Sequence, residues 1–221
     1  FAWELTLGQL NLVNGFWGFT GGDWLTYLKP VDNFLSNGNY SPDQRMPGYS
    51  VALLLPRFFA DRAASLNIVI LFQMIMGILS TIALGDIAYK SFNRRLSFYY
   101  TSILYVLCIS VSIFDAYISS ESLAISFGII SVWLLLQFNR RDKKYLLLLS
   151  GFFAAWSIFI RPVMVVLWGA EIAYLLIFYY STNRVKAIGN ALILMMAFVA
   201  FDSAWIVRNY HVHHEFRPFT P

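Results

Sequence analysis

The amino-acid sequence predicts an all-α integral membrane protein, a polytopic helical bundle with about six full spans and interfacial helices in its first outer loop. Of the 221 residues, 58% are hydrophobic and only 13% are charged. A soluble domain of this length could not bury so much apolar surface, so lipid must solvate part of it. The apolar runs are continuous rather than alternating and approach the ~20 residues that a membrane-spanning helix needs, which favours helices over a barrel.

Six apolar runs are the predicted spans. They are Leu66–Gly85, Leu96–Phe114, Ser122–Phe138, Tyr145–Ile160, Val163–Tyr180 and Ala187–Val207. The shortest runs lie near residues 140–160, and we expect them to lie obliquely or in a thinned part of the bilayer. The chain is thereby divided into a first outer loop (1–65), a transmembrane bundle (66–207) and the start of an outer loop or C-terminal domain (208–221).

The distribution of lysine and arginine predicts the orientation of the bundle. Nine bases fall in three short loops, at residues 90–95, 139–144 and 183–186. Cytoplasmic loops carry an excess of these residues, so the three loops are predicted to be cytoplasmic. The alternate loops, which contain Glu121 and Arg161, then face outward.

Two interfacial helices are predicted in the first outer loop. Residues 23–36 carry apolar side chains at near-helical spacing, and the segment is bounded by Gly21-Gly22 and by Asn37-Gly38-Asn39, both typical of turns. Residues 46–60 are also apolar but are interrupted by two prolines. We expect this second segment to be a further interfacial helix before the first full span.

Three acids on the outer side are candidates for chemistry. Asp23 begins the first interfacial helix, where it would be an N-cap, a general base or a metal ligand. Glu121 follows two serines at the start of a span, where it would be a first-turn acid favoured by the helix dipole or a site residue. Asp115 lies in the same short loop. Two neighbouring carboxylates would hold a divalent cation or raise one another's pKa.

Three arginines are predicted on the same side. Arg161 and Arg208 each lie at the outer end of a span, and Arg45 precedes a rigid Pro47-Gly48 pair. Such arginines either snorkel to lipid headgroups or offer a planar donor fork to a lipid phosphate. Ionised groups of both signs are expensive at a membrane boundary unless they bind something, so together they predict a site for a charged, lipid-attached substrate.

Other classes of function are weighed against this one. The sequence has no Gly-rich nucleotide loop, no dinucleotide fingerprint, no serine-hydrolase elbow and no CxxC pair, so neither soluble nucleotide chemistry nor a nucleic-acid partner is predicted. A transporter or lipid flippase would need charges along a path through the membrane, and only Glu171 lies mid-span. A non-catalytic scaffold would make the outer acids incidental. We also expect the sequence to be part of a longer protein.

Short motifs on the predicted outer side resemble those of the membrane-embedded GT-C glycosyltransferases. They are Gly22-Asp23-Trp-Leu-Thr-Tyr27 followed by Asn37-Gly38-Asn39-Tyr40, Arg45-Met-Pro-Gly-Tyr49, Ser120-Glu121-Ser-Leu123, and Arg161-Pro162 with Trp205-Ile-Val-Arg208-Asn209-Tyr210. Ser50 stands where the family has a second proline. In order and spacing, over about residues 15–215, the chain resembles in particular the group that contains the lipid A aminoarabinose transferase and the dolichyl-phosphate-mannose protein mannosyltransferases.

The resemblance implies a transferase that moves a sugar from a polyprenyl-phosphate donor to a lipid, glycan or protein acceptor at the outer face of the membrane. By that likeness Asp23 is the catalytic base or helps to activate the acceptor, and Glu121 lies by the donor phosphate or a metal. From their closeness in the sequence, Asp115 and Glu121 together are the candidate ligands of a divalent cation such as Mg²⁺ or Mn²⁺. The residues expected to bind substrate are Arg45, Tyr49, Arg161, Arg208 and Asn209. A bacterial inner membrane with a periplasmic site is favoured over the endoplasmic reticulum.

Overall fold

The computed structural model describes residues 15–20, 23–40, 45–180, 183–214 and 216. The predicted beginning of the first outer loop (1–14), the Gly21-Gly22 turn and the predicted end of the last segment (217–221) lie outside these residues. The described residues form nine α-helices, two short 3₁₀ helices and one pair of two-residue strands.

The helices follow the predicted runs in chain order. They are α1 Trp24–Asn37, α2 Gly48–Arg57, α3 Arg62–Phe92, α4 Arg95–Leu107, α5 Ile109–Ser112, α6 Ser120–Arg141, α7 Lys144–Ile160, α8 Val165–Tyr180 and α9 Arg184–His213. The 3₁₀ helices are Ile113–Ala116 and Pro162–Met164, and the strands are β1 Phe19–Thr20 and β2 Tyr117–Ile118. The two strands are parallel, with Phe19 beside Tyr117.

The all-α membrane class fits the structure, but the prediction of six full spans is met only in part. Among the described residues, four helices are long and apolar enough to span a bilayer: α3, α6, α9, and α8 together with the 3₁₀ helix before it. The predicted span Leu96–Phe114 is instead a pair of helices bent by 62°, which makes a fifth span only if the two are counted together. The predicted span Tyr145–Ile160 lies in α7, which has only 17 residues.

The bend lies at Cys108. Cys108 leaves the helical conformation, with ψ at 83°. Its thiol lies 3.2 Å from the Ser110 hydroxyl, and the Ser112 hydroxyl donates to the Cys108 carbonyl at 3.4 Å. Serine hydroxyls that bond back to a carbonyl one turn earlier often accompany bends in helices. A hydropathy average over the run does not detect such a break.

The short helix α7 is held by close packing rather than by length. It lies against α6 and α9, and it presents small residues to both. A Cβ at Gly151 would stand 2.6 Å from the carbonyl oxygen of Leu194 on α9. Small residues at such positions let helix backbones approach closely within a membrane.

The charged residues of the bundle gather at two ends, one rich in lysine and arginine and the other with acids and arginines together. The loops at 90–95, 139–144 and 183–186 meet at one end, which we call the basic end, where Lys186 donates to Asp142 at 2.9 Å. The other end, here the mixed-charge end, brings together Asp23, Arg45, Glu121 and Arg161. The helices predicted in the first loop are both present, and α1 ends at Gly38 in the left-handed conformation with φ at 72°.

Candidate active site

A cavity of about 340 Å³ opens at the mixed-charge end. Its wall is built from the first loop and from the loop before α6, and is formed by Asp23, Tyr27, Phe114, Tyr117, Ile118, Ser119 and Glu121. This volume falls within the ~300–1,000 Å³ typical of small-molecule sites. Two carboxylates therefore face a space of ligand size that is otherwise lined by aromatic, aliphatic and hydroxyl groups.

Asp23 stands at the N-cap position of α1 but does not cap it. Its side chain accepts no hydrogen bond from the helix backbone. It forms an ion pair with Arg45 instead, and the Arg45 guanidinium also lies 5.3 Å from the centre of the Tyr27 ring. The Asp23 side chain is two-thirds exposed (67%), so a ligand in the cavity can reach it. The helix-cap explanation of this acid is therefore insufficient.

Glu121 combines a structural contact with a second ion pair. One carboxylate oxygen accepts from the Ser119 hydroxyl, and Ser119 in turn accepts from the Glu121 backbone N–H at 3.4 Å, which caps α6. The other oxygen lies 2.8 Å from a guanidinium nitrogen of Arg161. Arg161 lies directly after the end of α7. Pro162 disfavours helical backbone in the residue before it, and so ends the helix there.

A close backbone approach brings the two ion pairs to one end. Gly48 begins α2 and touches the last turn of α7: a Cβ at Gly48 would stand 2.5 Å from the carbonyl carbon and oxygen of Phe159. Only glycine allows this approach. Arg45 precedes Gly48 by three residues and Arg161 follows Phe159 by two, so the contact explains why the Arg-x-Pro-Gly segment lies beside Arg-Pro.

Gln73 fixes the loop that carries Glu121, and it was missed in the sequence. Its amide donates to the carbonyl of Tyr117 at 2.8 Å and also reaches those of Phe114 and Asp115, at 3.2 and 3.3 Å. Its oxygen accepts from the Tyr49 hydroxyl at 2.7 Å. The only signal was an amide in the middle of a mainly apolar predicted span, which also has Asn67 near its start, and this is a weak indication by itself.

Tyr49 lies inside the protein rather than in the cavity. Its side chain has no exposed surface, and burial raises the pKa of its phenol well above the usual value. The hydroxyl therefore stays protonated and remains a donor to Gln73. In this arrangement Tyr49 holds Gln73, which in turn bonds the loop that lines the cavity, and the Tyr49 side chain is not accessible to a ligand. Tyr27 forms a similar link, with its hydroxyl 2.9 Å from that of Ser120 at the start of α6.

Arg208 and Asn209 lie near the end of α9, outside the residues that line the cavity. Arg208 donates to the carbonyl of Tyr40 at 3.2 Å and to the Asn209 side chain at 2.9 Å, and its guanidinium lies over the Trp205 ring. These contacts join the last helix to the turn that follows α1. Asn209 itself is fully buried.

The two acids predicted to share a cation have different partners. Asp115 accepts from the Ser122 hydroxyl at 2.5 Å and packs against Gly77, where a Cβ would stand 2.3 Å from a carboxylate oxygen. Glu121 instead pairs with Arg161, and Asp115 does not line the cavity. In the part of the chain that the structure describes, no three His, Cys, Asp or Glu side chains converge on one point. The assignment of Asp115 and Glu121 to a cation, and with it a metal requirement, stays a prediction.

The long apolar helices fit a multi-pass membrane protein, and a family match makes it one of the GT-C type, as the motifs predicted. A family model described as dolichyl-phosphate-mannose-protein mannosyltransferase matches residues 52–206, and the chain belongs to that family. Comparison with curated protein sequences and with solved structures gave no match. The matched residues include Glu121 and Arg161, whereas Asp23, Arg45 and Arg208 lie outside them.

Proposed function

We propose that this chain transfers a sugar from a polyprenyl-phosphate donor to a hydroxyl or amine of an acceptor at the outer face of the membrane. The family supplies the glycosyltransferase class. The observation that supports the finer assignment is the cavity itself, in which Asp23 and Glu121 face one space and each is paired with an arginine.

Asp23 is the proposed general base. Its carboxylate takes the proton of the acceptor O–H or N–H as that atom bonds to the anomeric carbon of the sugar. The bond from the anomeric carbon to the phosphate oxygen breaks, and its electron pair leaves with the polyprenyl phosphate. A positioned base of this kind contributes typically ~10²–10⁴-fold to a rate. The polyprenyl phosphate is itself the leaving group, so the reaction needs no nucleotide.

Arg161 and Arg45 are the proposed cationic partners of that phosphate. Each guanidinium has five N–H donors in a fixed fork, which suits phosphate oxygens. The two side chains are about one-third exposed, at 36% and 33%, and each now contacts one carboxylate. A donor phosphate that takes over part of the Arg45 fork would loosen its hold on Asp23 and leave that carboxylate free to accept a proton. Arg208 contributes by holding the first loop against α9.

An apolar groove offers a place for the first part of the donor's lipid tail. It has a volume of about 190 Å³ and lies between α2, α3 and α7, with Leu55, Phe72 and Trp156 in its wall. Trp156 precedes Arg161 by five residues on α7, a rise of about 7 Å along a helix. A lipid whose phosphate meets Arg161 could therefore place its first apolar units in this groove.

The proposed activity is tested by incorporation of label in membranes that contain the full-length protein. Radiolabelled polyprenyl-phosphate sugars are supplied in one series and the corresponding nucleotide sugars in another, each with and without a chelator. We expect transfer of label from the polyprenyl-phosphate donors alone. The chelator series tests the cation separately: loss of transfer with the chelator would show that a cation is required. Transfer from nucleotide sugars without a lipid intermediate, or no transfer from any polyprenyl-phosphate donor, would overturn the proposal.

The outer location of the site has its own test. Single cysteines are placed at Asn93 and Asn139, in the basic-end loops, and at Tyr117 beside the cavity, in a variant whose Cys108 is replaced by serine. An impermeant thiol reagent added from outside should label the cysteine at position 117 and spare the other two, because nine bases favour the cytoplasmic side for their loops. The reverse pattern would place the cavity on the cytoplasmic face.

A further inference from the structure

A second cavity, of about 180 Å³, lies at the basic end of the bundle. Its polar wall includes Asp86, Lys90, Trp133, Asn139, Arg140 and Tyr174. Asp86 follows Gln73 by thirteen residues on α3, so this cavity lies about 20 Å along the helix from the candidate active site. The volume is below the ~300 Å³ at which small-molecule pockets begin, so it suits a single headgroup rather than a whole sugar donor.

Asp86 is a fixed part of this wall. One of its carboxylate oxygens accepts from Lys90 at 2.5 Å, from the Trp133 indole at 2.7 Å and from the Gln137 amide at 2.9 Å. The negative charge is thereby matched by Lys90 and spread over two further donors. Asp86 and Lys90 together contribute no net charge to the cavity.

The donors that remain give the cavity a positive balance. Arg140 is exposed and forms no ion pair among the described residues. Lys90 uses one of its three N–H groups on Asp86. The Tyr174 oxygen accepts from Asn139 at 2.7 Å, which leaves its own hydrogen available to donate. An unpaired guanidinium with an ammonium and a hydroxyl beside it is complementary to a phosphate group.

We propose that this basic-end cavity binds the phosphate of an anionic phospholipid headgroup, with Arg140 and Lys90 as its principal contacts. A lipid is favoured over free phosphate by the surroundings of the cavity. On the other side of Asp86, a shallow space is lined by Tyr89, Phe98 and Tyr99, and Tyr99 is 59% exposed. Exposed aromatic residues of this kind lie at headgroup level in membranes, and basic pockets between spanning helices suit anionic headgroups.

The inference does not depend on the proposed transferase activity, and its test does not measure that activity. Full-length protein is purified in detergent and incubated with dioleoylphosphatidylglycerol, with dioleoylphosphatidylcholine or with glycerol 3-phosphate, and bound molecules are counted by native mass spectrometry. Phosphatidylglycerol should be retained in preference to the other two. Arg140→Gln should weaken its retention by roughly tenfold or more, as expected for the loss of a charge-assisted hydrogen bond.

Arg141→Gln is the matched control, because Arg141 ends the same helix but does not line the cavity. Retention by this variant should equal that of the unmodified protein. If Arg140→Gln does not fold, Arg140→Lys keeps the charge and should give an intermediate loss. Equal behaviour of the Arg140 and Arg141 variants, or equal retention of phosphatidylcholine, would overturn the lipid site. Retention of glycerol 3-phosphate as strong as that of the lipid would assign the cavity to a soluble phosphate instead.

Discussion

At the mixed-charge end of the bundle, Asp23 is paired with one arginine and is largely exposed to an open cavity, whereas at the basic end Asp86 accepts three hydrogen bonds from α3 and α6. A carboxylate with three donors is already satisfied, so replacing any one of them costs stability. A carboxylate with one exposed partner can exchange it for a proton or for another ion. The difference separates an acid that holds helices together from one that is available for chemistry.

Replacing Asp23 should have the largest effect on turnover. Asp23→Asn keeps the size of the side chain but removes the base, so transfer by the full-length protein should fall by ~10²-fold or more with little change in expression. The measurement is the initial rate of sugar incorporation at saturating donor. The matched control is Asp142→Asn, which removes an exposed acid paired with Lys186 at the other end.

The Asp142 variant should transfer sugar at the normal rate. Lys186 lowers the pKa of Asp142, but the pair is exposed, and solvent screening leaves such pairs little influence on stability. If Asp23→Asn and Asp142→Asn gave similar rates, Asp23 would be reduced to a helix-terminal acid.

Replacing Gln73 should have a smaller but broader effect. Gln73→Met fills a similar volume, yet it leaves the Tyr49 hydroxyl and the Tyr117 carbonyl without their present partner. Unpaired buried groups cost ~1–3 kcal/mol, which should lower the thermal midpoint. Transfer per folded molecule should fall as well, because the loop that carries Glu121 is no longer fixed.

Ser131→Ala distinguishes loss of stability from loss of site geometry. Ser131 is buried in the middle of the bundle and donates to Glu171 at 2.8 Å, so its removal should also lower the thermal midpoint. Transfer per folded molecule should be unchanged in that variant. A Gln73 variant with full activity per folded molecule would show that the hydrogen bonds of Gln73 stabilise the fold without positioning the site.

Hydropathy and charge predicted the class of fold and the segments that form its helices, because lipid solvation imposes both patterns on the sequence. They did not predict the break at Cys108, because a single residue that leaves the helical conformation does not change the hydropathy of the run. Nor did they predict the strand pair of Phe19 and Tyr117. Each strand has only two residues, which is too short for an alternating pattern to be seen in the sequence.

The candidate site was predictable as a set of residues but not as a geometry. The short motifs identified Asp23, Arg45, Glu121 and Arg161, which the structure brings to one end. Which acid meets which arginine depends on the contact of Gly48 with Phe159, between residues more than a hundred positions apart. Nor does the sequence show that Asp115 accepts from Ser122 while Glu121 pairs with Arg161, or that Arg208 lies beside Tyr40.

Equilibrium binding of a polyprenyl monophosphate to the full-length protein tests the central claim, that the donor phosphate is held at the mixed-charge end. Arg161→Lys keeps the charge but loses the planar fork, and Arg141→Lys makes the same change at the basic end. We predict that Arg161→Lys weakens binding by about tenfold or more and that Arg141→Lys leaves it unchanged. Unchanged affinity in the Arg161 variant would contradict the account.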